Sequence, residues 1–143
     1  MTEQKTYIAQ AAAIPFRTNA ESDRPEVLLI RRTDKENGKW GIPKGLVDPG
    51  FNHSEAARQE ALEEAGVTGR LSEEPLGSFT YEKFGGVCRV QVYAMKVTQV
   101  REHWEEEGMR ERKWFDIKRA AAVVGRESIA ALIRELAQAL EEG

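Results

Sequence analysis

Between Trp40 and Asn52 the chain reads WGIPKGLVDPGFN, with three glycines and two prolines in thirteen residues. Proline removes a backbone donor and glycine weakens any regular element, so neither helix nor strand is expected to run through this stretch. It is read as a loop with a defined shape. The segment after it has the opposite character. Asn52 is a good N-cap, and Glu55 three residues later completes a capping-box pattern. Ala56, Ala57, Ala61, Leu62 and Ala65 favour helix, and Gly66 is placed to end it. A shaped loop that feeds directly into a capped helix makes the two neighbours in space, whatever the rest of the fold.

The flanking sequence supplies strands. TYIAQAAAIPF reads as a strand with Pro15 near its end, and EVLLIRR as a short buried one. TNAESDRP and TDKENGK, the latter containing Asn37-Gly38, read as loops. LGSFTYEKF and CRVQVYAMKV, joined through Gly85-Gly86, predict a hairpin. REHWEEEGMRE is a charged loop and RKWFDI a short strand. KRAAAVV and SIAALIRELAQAL read as helices, the second amphipathic, with an apolar face able to cover either the core or a partner. Strands on both sides of a central helix, with more helix at the end, predict a mixed sheet covered by helices.

The central helix carries QEALEEAG, in which Glu60, Glu63 and Glu64 fall at spacings of three and four on one face. Like charges so placed cost an isolated helix roughly 0.2–0.5 kcal/mol per pair. On spacing alone the run reads as a solvated acidic face. Beside the loop it has a second reading, in which the carboxylates surround a divalent cation. Magnesium prefers oxygen ligands, and it also lets an acidic face accept a phosphate substrate that would otherwise be repelled. Such an ion polarises a phosphoryl group and lowers the pKa of an attacking water.

The totals narrow the partners. With 143 residues, 41% apolar and 31% charged, the chain is expected to form one globular domain over 1–143. A net charge of −3 provides no general field toward nucleic acid or an anionic membrane, so neither is an expected partner. The single cysteine, Cys88, excludes an internal disulfide and suits a reducing compartment. MTEQKTYIAQ lacks an apolar signal core and no run of about 18 apolar residues exists, so a cytoplasmic location is expected. Either a monomer or a homodimer is compatible with the sequence.

From Gly45 the chain places Glu60, Glu63, Glu64, Gly66 and Val67 at the spacing of the Nudix box. That box is a glycine, five residues, a glutamate, seven residues, then Arg-Glu-aliphatic-x-Glu-Glu-x-Gly-aliphatic. WGIPKGLVDPG resembles the loop that approaches it. AAAIPFR, EVLLIRR, EEAGVTGRL and VTQVREHWEEEGMRERKWFDIKRAAAVV are similar to the diphosphoinositol polyphosphate phosphohydrolase branch, which also includes diadenosine polyphosphate hydrolases. The resemblance covers roughly residues 8 to 125 and implies a Nudix fold, an α/β/α sandwich with a mixed β-sheet.

By position, it further implies that Glu60 and Glu64 ligate Mg²⁺, with Mn²⁺ as a substitute. Glu63 is then a further ligand or the base that orients water, and the main-chain carbonyl of Lys44 or Gly45 another ligand. The implied reaction is attack of water on a diphosphate linkage in a small phosphoanhydride, namely a diadenosine polyphosphate or a diphosphoinositol polyphosphate. ADP-ribose or a nucleoside triphosphate is the alternative substrate. Two box positions depart from the pattern, because Phe51 stands for a glutamate and Gln59 for the arginine. The absent residues have opposite charge, so their joint loss orphans neither, and a Nudix-fold protein that binds without cleaving is the rival reading. Arg58 is one residue off, about 100° around the helix, and is read as solvated.

Among the remaining side chains, Arg17, Arg31, Arg32, Lys39 and Lys44 flank the proposed site, and Arg17 and Lys39 are favoured as phosphate ligands by the resemblance. Arg89 aligns with a basic strand segment of the same branch, although Val87 and Cys88 beside it thin the charge there. Trp40 is read as a pocket floor, a base-stacking surface or core. His53 and His103 lack metal-ligand spacing and are read as surface residues. Cys88 and the Trp114-Phe115 pair are read as packing. Glu105, Glu106 and Glu107 are kept as candidates for an extra downstream carboxylate.

Overall fold

The computed structural model describes residues 6–143, so MTEQK at the start of the polar N-terminal stretch lies outside it. The strands are β1 (Tyr7–Thr18), β2 (Pro25–Arg32), β3 (Lys44–Leu46), β4 (Val67–Leu71), β5 (Gly77–Lys83), β6 (Gly86–Val100) and β7 (Arg110–Asp116). The helices are α1 (His53–Glu60, extended by a π turn over Ala61–Ala65), α2 (Ile117–Val123) and α3 (Glu127–Glu142). The strands form one seven-stranded sheet in the order β4-β6-β1-β2-β7, with β3 on β1 and β5 on β6. β1 and β6 are parallel and every other pair is antiparallel, so the sheet is mixed as expected.

Both long strands change partner along their length. β6 pairs with β5 through Gly86–Val92 and with β4 from Met95 onward. β1 pairs with β3 at Gln10–Ala12 and with β2 at Phe16–Thr18. Among the described residues β3 pairs with β1 alone. The Gly/Pro-rich loop therefore contains a three-residue strand that the sequence did not predict. β4 was likewise missed, since VTGRL is too short and too polar to announce itself.

Strand alternation divides the interior into two layers. Ala12, Ile14, Val27, Leu29, Val90 and Val92 meet α2 and α3, and the buried face of α3 (Ile129, Ala130, Leu132, Ile133, Leu136) covers this layer of the core. Ala11, Ala13, Leu28, Ile30, Tyr93 and Met95 meet α1 through Ala56, Ala57, Ala61 and Ala65. Alanine faces alanine across that second interface, and small contact residues allow a short helix-to-sheet distance. Phe115 belongs to the first layer and Trp114 to the second, so the expected core pair is split across the sheet. The hairpin turn is Phe84-Gly85, with φ values of 58° and 73°, while Gly86 already lies in β6. Two consecutive positive φ values are the type I′ geometry favoured by two-residue hairpins.

Candidate active site

The start of α1 is held by its own sequence. The Asn52 side chain accepts from the Glu55 amide at 2.8 Å and donates to the Glu55 carboxylate at 3.0 Å. At the other end the helix widens into the π turn and stops at Gly66, whose φ of 67° is left-handed. A π turn takes more residues per turn than an α turn, so positions 60 and 64 come closer to eclipsing each other.

The carboxylates brought together are unequal. Glu64 is 5% exposed, and Glu60 and Glu63 are intermediate. Glu60 and Glu64 act on each other's proton affinity as close neighbours. Burial, reinforced by Glu60, pushes Glu64 up to about 9. Glu60 is also raised, chiefly by burial and further by the charges of Glu63 and Glu106. Two carboxyls this close share a proton because both cannot ionise without a cation between or beside them. All the donors are oxygens, which suits a hard divalent ion such as Mg²⁺ or Mn²⁺.

β3 forms the wall behind Glu60. A Cβ added at Gly45 would overlap the Glu60 carboxylate, so only glycine lets the β3 backbone press against it. The Lys44 and Gly45 main chain is thereby placed beside the glutamates.

The loop between β6 and β7 is fastened to the end of α1 by four successive carbonyls. Glu63 O accepts from the Glu106 amide at 3.0 Å, and Glu64 O from Trp104 Nε1 at 3.1 Å. Ala65 O accepts from Arg112 Nη1 at 3.0 Å, and Gly66 O from the Arg101 amide at 2.8 Å. These are the carbonyls a helix end leaves unpaired. The result is that oxygens of Glu63, Glu105 and Glu106 lie within 4.8 Å of one another. Glu107 faces away and meets His103 at 3.1 Å. Arg110, which sequence reasoning did not single out, sits 3.5 Å from Glu64 and 2.8 Å from Glu106.

On the opposite side of β3 the charge reverses. Lys39, Trp40, Lys44, Gly125 and Arg126 line a cavity of about 210 Å³. Lys44 Nζ donates to the Tyr81 hydroxyl at 3.0 Å, and that hydroxyl donates to Gln10 Oε1 at 2.6 Å. Arg126 stacks over Tyr81 at 4.7 Å and opens α3, which has no side-chain cap. Uncapped amides at a helix start favour anions. Arg126, Tyr81 and Gln10 were missed because they come from three elements far apart in sequence. Trp40 both lines this cavity and packs edge-on against Phe115 at 5.0 Å, with Arg31 over its ring.

Arg17 stands apart. Its guanidinium binds Glu26 at 3.0 Å and covers the Trp114 ring at 3.9 Å. Gly45 pairs with Ala11, six residues back along β1, which at roughly 3.3 Å per residue is about 20 Å away. Arg89 is closer. It is exposed, stacks over Tyr7 at 4.1 Å and pairs with Ala9, two residues from Ala11. His103 is exposed and Cys88 is buried in the sheet, both as expected.

Known proteins align with this arrangement. A family model described as NUDIX domain matches residues 8–136. Nudix hydrolase 12, mitochondrial, of Arabidopsis thaliana is 33% identical over 126 residues, covering 82% of this chain and 61% of the relative. Diphosphoinositol polyphosphate phosphohydrolase 2 of Rattus norvegicus is 34% identical over 124 residues, covering 85% and 65%. The chain thus spans about three-fifths of the length of the curated relatives it matches. A crystal structure of a C. elegans Ap4A hydrolase binary complex superposes with a TM-score of 0.74 at 25% identity, covering 95% of this chain and 99% of that one.

Proposed function

This chain belongs to the Nudix family, and from that premise we propose that it is a hydrolase of phosphoric anhydride bonds, dependent on Mg²⁺ or Mn²⁺. The observation that carries the reading is the buried Glu64 carboxyl beside half-buried Glu60, whose carboxylate is backed by Gly45. A solvated acidic helix face has no reason to bury a carboxyl beside a second one. Glu60 and Glu64 would hold the cation with a main-chain oxygen of Lys44 or Gly45. Glu63 completes the set or orients the water. The bound ion supplies charge neutralisation at the phosphoryl group and a more acidic water. In the hydrolysis so proposed, water would attack phosphorus, one of the helix glutamates would take its proton, and the P–O anhydride bond would break with the bridging oxygen leaving on the departing phosphate.

The preferred substrates are diadenosine polyphosphates or diphosphoinositol polyphosphates, the activities in the names of the relatives above. The cavity of Lys39, Lys44 and Arg126 shares Lys44 of β3 with the wall beside the carboxylates, and would take the rest of a phosphate chain. None of these three cations is engaged in an ion pair among the described residues, and they suit the outer phosphates. Trp40 walls the same cavity, and Arg89 is held as a further phosphate contact. Arg17, neutralised by Glu26, is left out. ADP-ribose and nucleoside triphosphates are the alternative substrates. Phe51 and Gln59 favour one second reading, a protein that binds such ligands without turnover.

The test is incubation with Mg²⁺ and a mixture of diadenosine polyphosphates, an inositol pyrophosphate, ADP-ribose and nucleoside triphosphates, with products identified by mass. Cleavage of one substrate, lost in Glu64→Gln, supports the enzyme. Tight binding without cleavage supports the second reading. No helix among the described residues is long and apolar enough to cross a membrane. The single buried thiol suits the cytoplasm, although two plant relatives carry mitochondrial names. Fractionation of source cells decides between the compartments.

A further inference from the structure

The box position that normally carries a cation beside the glutamates is Gln59 here, and its amide donates to Glu63 without adding charge. Arg58 is exposed and lines a groove between α1 and β4. The carboxylates nevertheless have one cation in reach. Arg110, at the first position of β7, is the single ion-pair partner of the three helix glutamates among the described residues. It is only 20% exposed. Its Nε binds Glu106 at 2.8 Å and its Nη2 lies 3.5 Å from Glu64. Its backbone is set by two further contacts, because its amide donates to Glu106 O at 3.0 Å and its Cα pairs with Arg32 in β2.

We propose that Arg110 is a positioning residue for the cation site, fastening Glu64 of the helix to Glu106 of the β6–β7 loop so that both sets of carboxylates face one point. This rests on the metal-dependent reading above. A guanidinium is suited to the task because its fork reaches two carboxylates at fixed separation, which a lysine ammonium does with less geometric definition. Its charge offsets part of the repulsion among Glu60, Glu63, Glu64 and Glu106 before a metal arrives. Groups that hold metal ligands in place typically affect metal affinity or activity by about 10–100-fold.

The alternatives for Arg110 predict different results. A plain counter-charge competes with the metal, so its removal would tighten metal binding. A substrate contact would leave metal binding alone and raise KM. The experiment is Mn²⁺ titration by calorimetry of wild type, Arg110→Met and Arg110→Lys, alongside steady-state kinetics with whichever substrate the wild type cleaves. We expect Arg110→Met to weaken Mn²⁺ binding by about 10-fold or more and to lower kcat with KM little changed. Arg110→Lys should recover part of the loss, and it carries the test alone if Arg110→Met fails to fold. Tighter or unaltered Mn²⁺ binding in the variants, or an effect confined to KM, overturns the proposal. Absence of Mn²⁺ binding by the wild type would overturn the underlying metal-dependent reading as well, so the two failures are distinguishable.

Discussion

Gly45 on β3 backs directly onto the Glu60 carboxylate on α1, with no space between them for a Cβ. The atoms in the way are the far end of a flexible side chain, so Gly45→Ala should fold. We expect a stability change below about 1 kcal/mol, because Gly45 has no positive φ to lose. The methyl group should instead push the Glu60 carboxylate off its place. Misplacement of a reacting constellation by about 1 Å can cost on the order of 100-fold. Urea denaturation and kcat/KM measured on the same preparation check this. A large loss of stability, or full activity, would show that Glu60 does not depend on the β3 wall.

The Glu60–Glu64 pair makes the metal-free protein sensitive to pH. Burial beside Glu60 pushes Glu64 up to about 9, against 4.5 for a solvated glutamate. Between those values the folded chain holds a proton that the unfolded chain has released. Stability is therefore full below about 4.5 and is lost as pH rises toward and through 9. With metal chelated, urea midpoints should fall from acidic to alkaline conditions across this window. Glu64→Gln should flatten the slope and exceed the wild type at the alkaline end by about 1 kcal/mol or more, the equivalent of one pKa unit. Parallel slopes in the two proteins would contradict the shared-proton description.

How much of this was readable beforehand depends on how local each signal was. Asn52, Glu55 and Gly66 announced the limits of α1, and the structure places them at its cap and its left-handed end. Glu60, Glu63 and Glu64 were found together because helix periodicity is a short-range rule. The π turn was not foreseen, since ALEEA has ordinary helix formers and the widening is tied to the loop that docks on its carbonyls. Arg110, Arg126, Tyr81 and Gln10 were missed for a related reason. Each reaches its partners across the sheet or a loop closure, and no spacing along the chain encodes such a meeting. Arg17 was favoured by resemblance, which carries no register, and strand register carries it to the far end of β1 beside Glu26.

The docking of the β6–β7 loop yields a prediction at Gly66. Its φ of 67° disfavours an L side chain, and an added Cβ would lie 2.8 Å from Trp104 Cβ and 2.6 Å from Arg112 Nη1. The left-handed conformation alone costs a residue with a Cβ roughly 1–2 kcal/mol. Gly66→Ala should therefore destabilise by about 2–3 kcal/mol and shift the emission of Trp104 as the loop lifts. Trp104→Phe is the milder companion. It retains a ring under Arg112, stacked at 3.8 Å, and loses only the Nε1 donor to Glu64 O. Its expected cost is about 1 kcal/mol. If both variants unfold at wild-type urea concentrations, the loop is not fastened through these carbonyls.

Phe51 and Gln59, the two departures from the box, line one groove between α1 and β4 together with Glu55, Arg58, Leu62 and Gly69. Their adjacency supports the idea that a glutamate and an arginine at these positions would pair. Phe51 is 52% exposed, so its replacement loses limited packing. Phe51→Glu alone sets a carboxylate in the groove with Glu55, and its available cation is Arg58, which shares that groove and is not directed wholly away from it. Gln59→Arg alone replaces the amide donor to Glu63 with a guanidinium that has no carboxylate at position 51 to meet. The double change Phe51→Glu/Gln59→Arg should be tolerated or mildly activating. It should be more stable than the sum of the singles by about 0.5–1 kcal/mol, the range for an exposed ion pair. A double-mutant cycle in urea measures this coupling. Repeating the cycle with Arg58→Ala removes the substitute partner and should leave the coupling intact or larger. A single change that outperforms the double, in stability or in turnover, would mean that Phe51 and Gln59 are not the two halves of one lost pair.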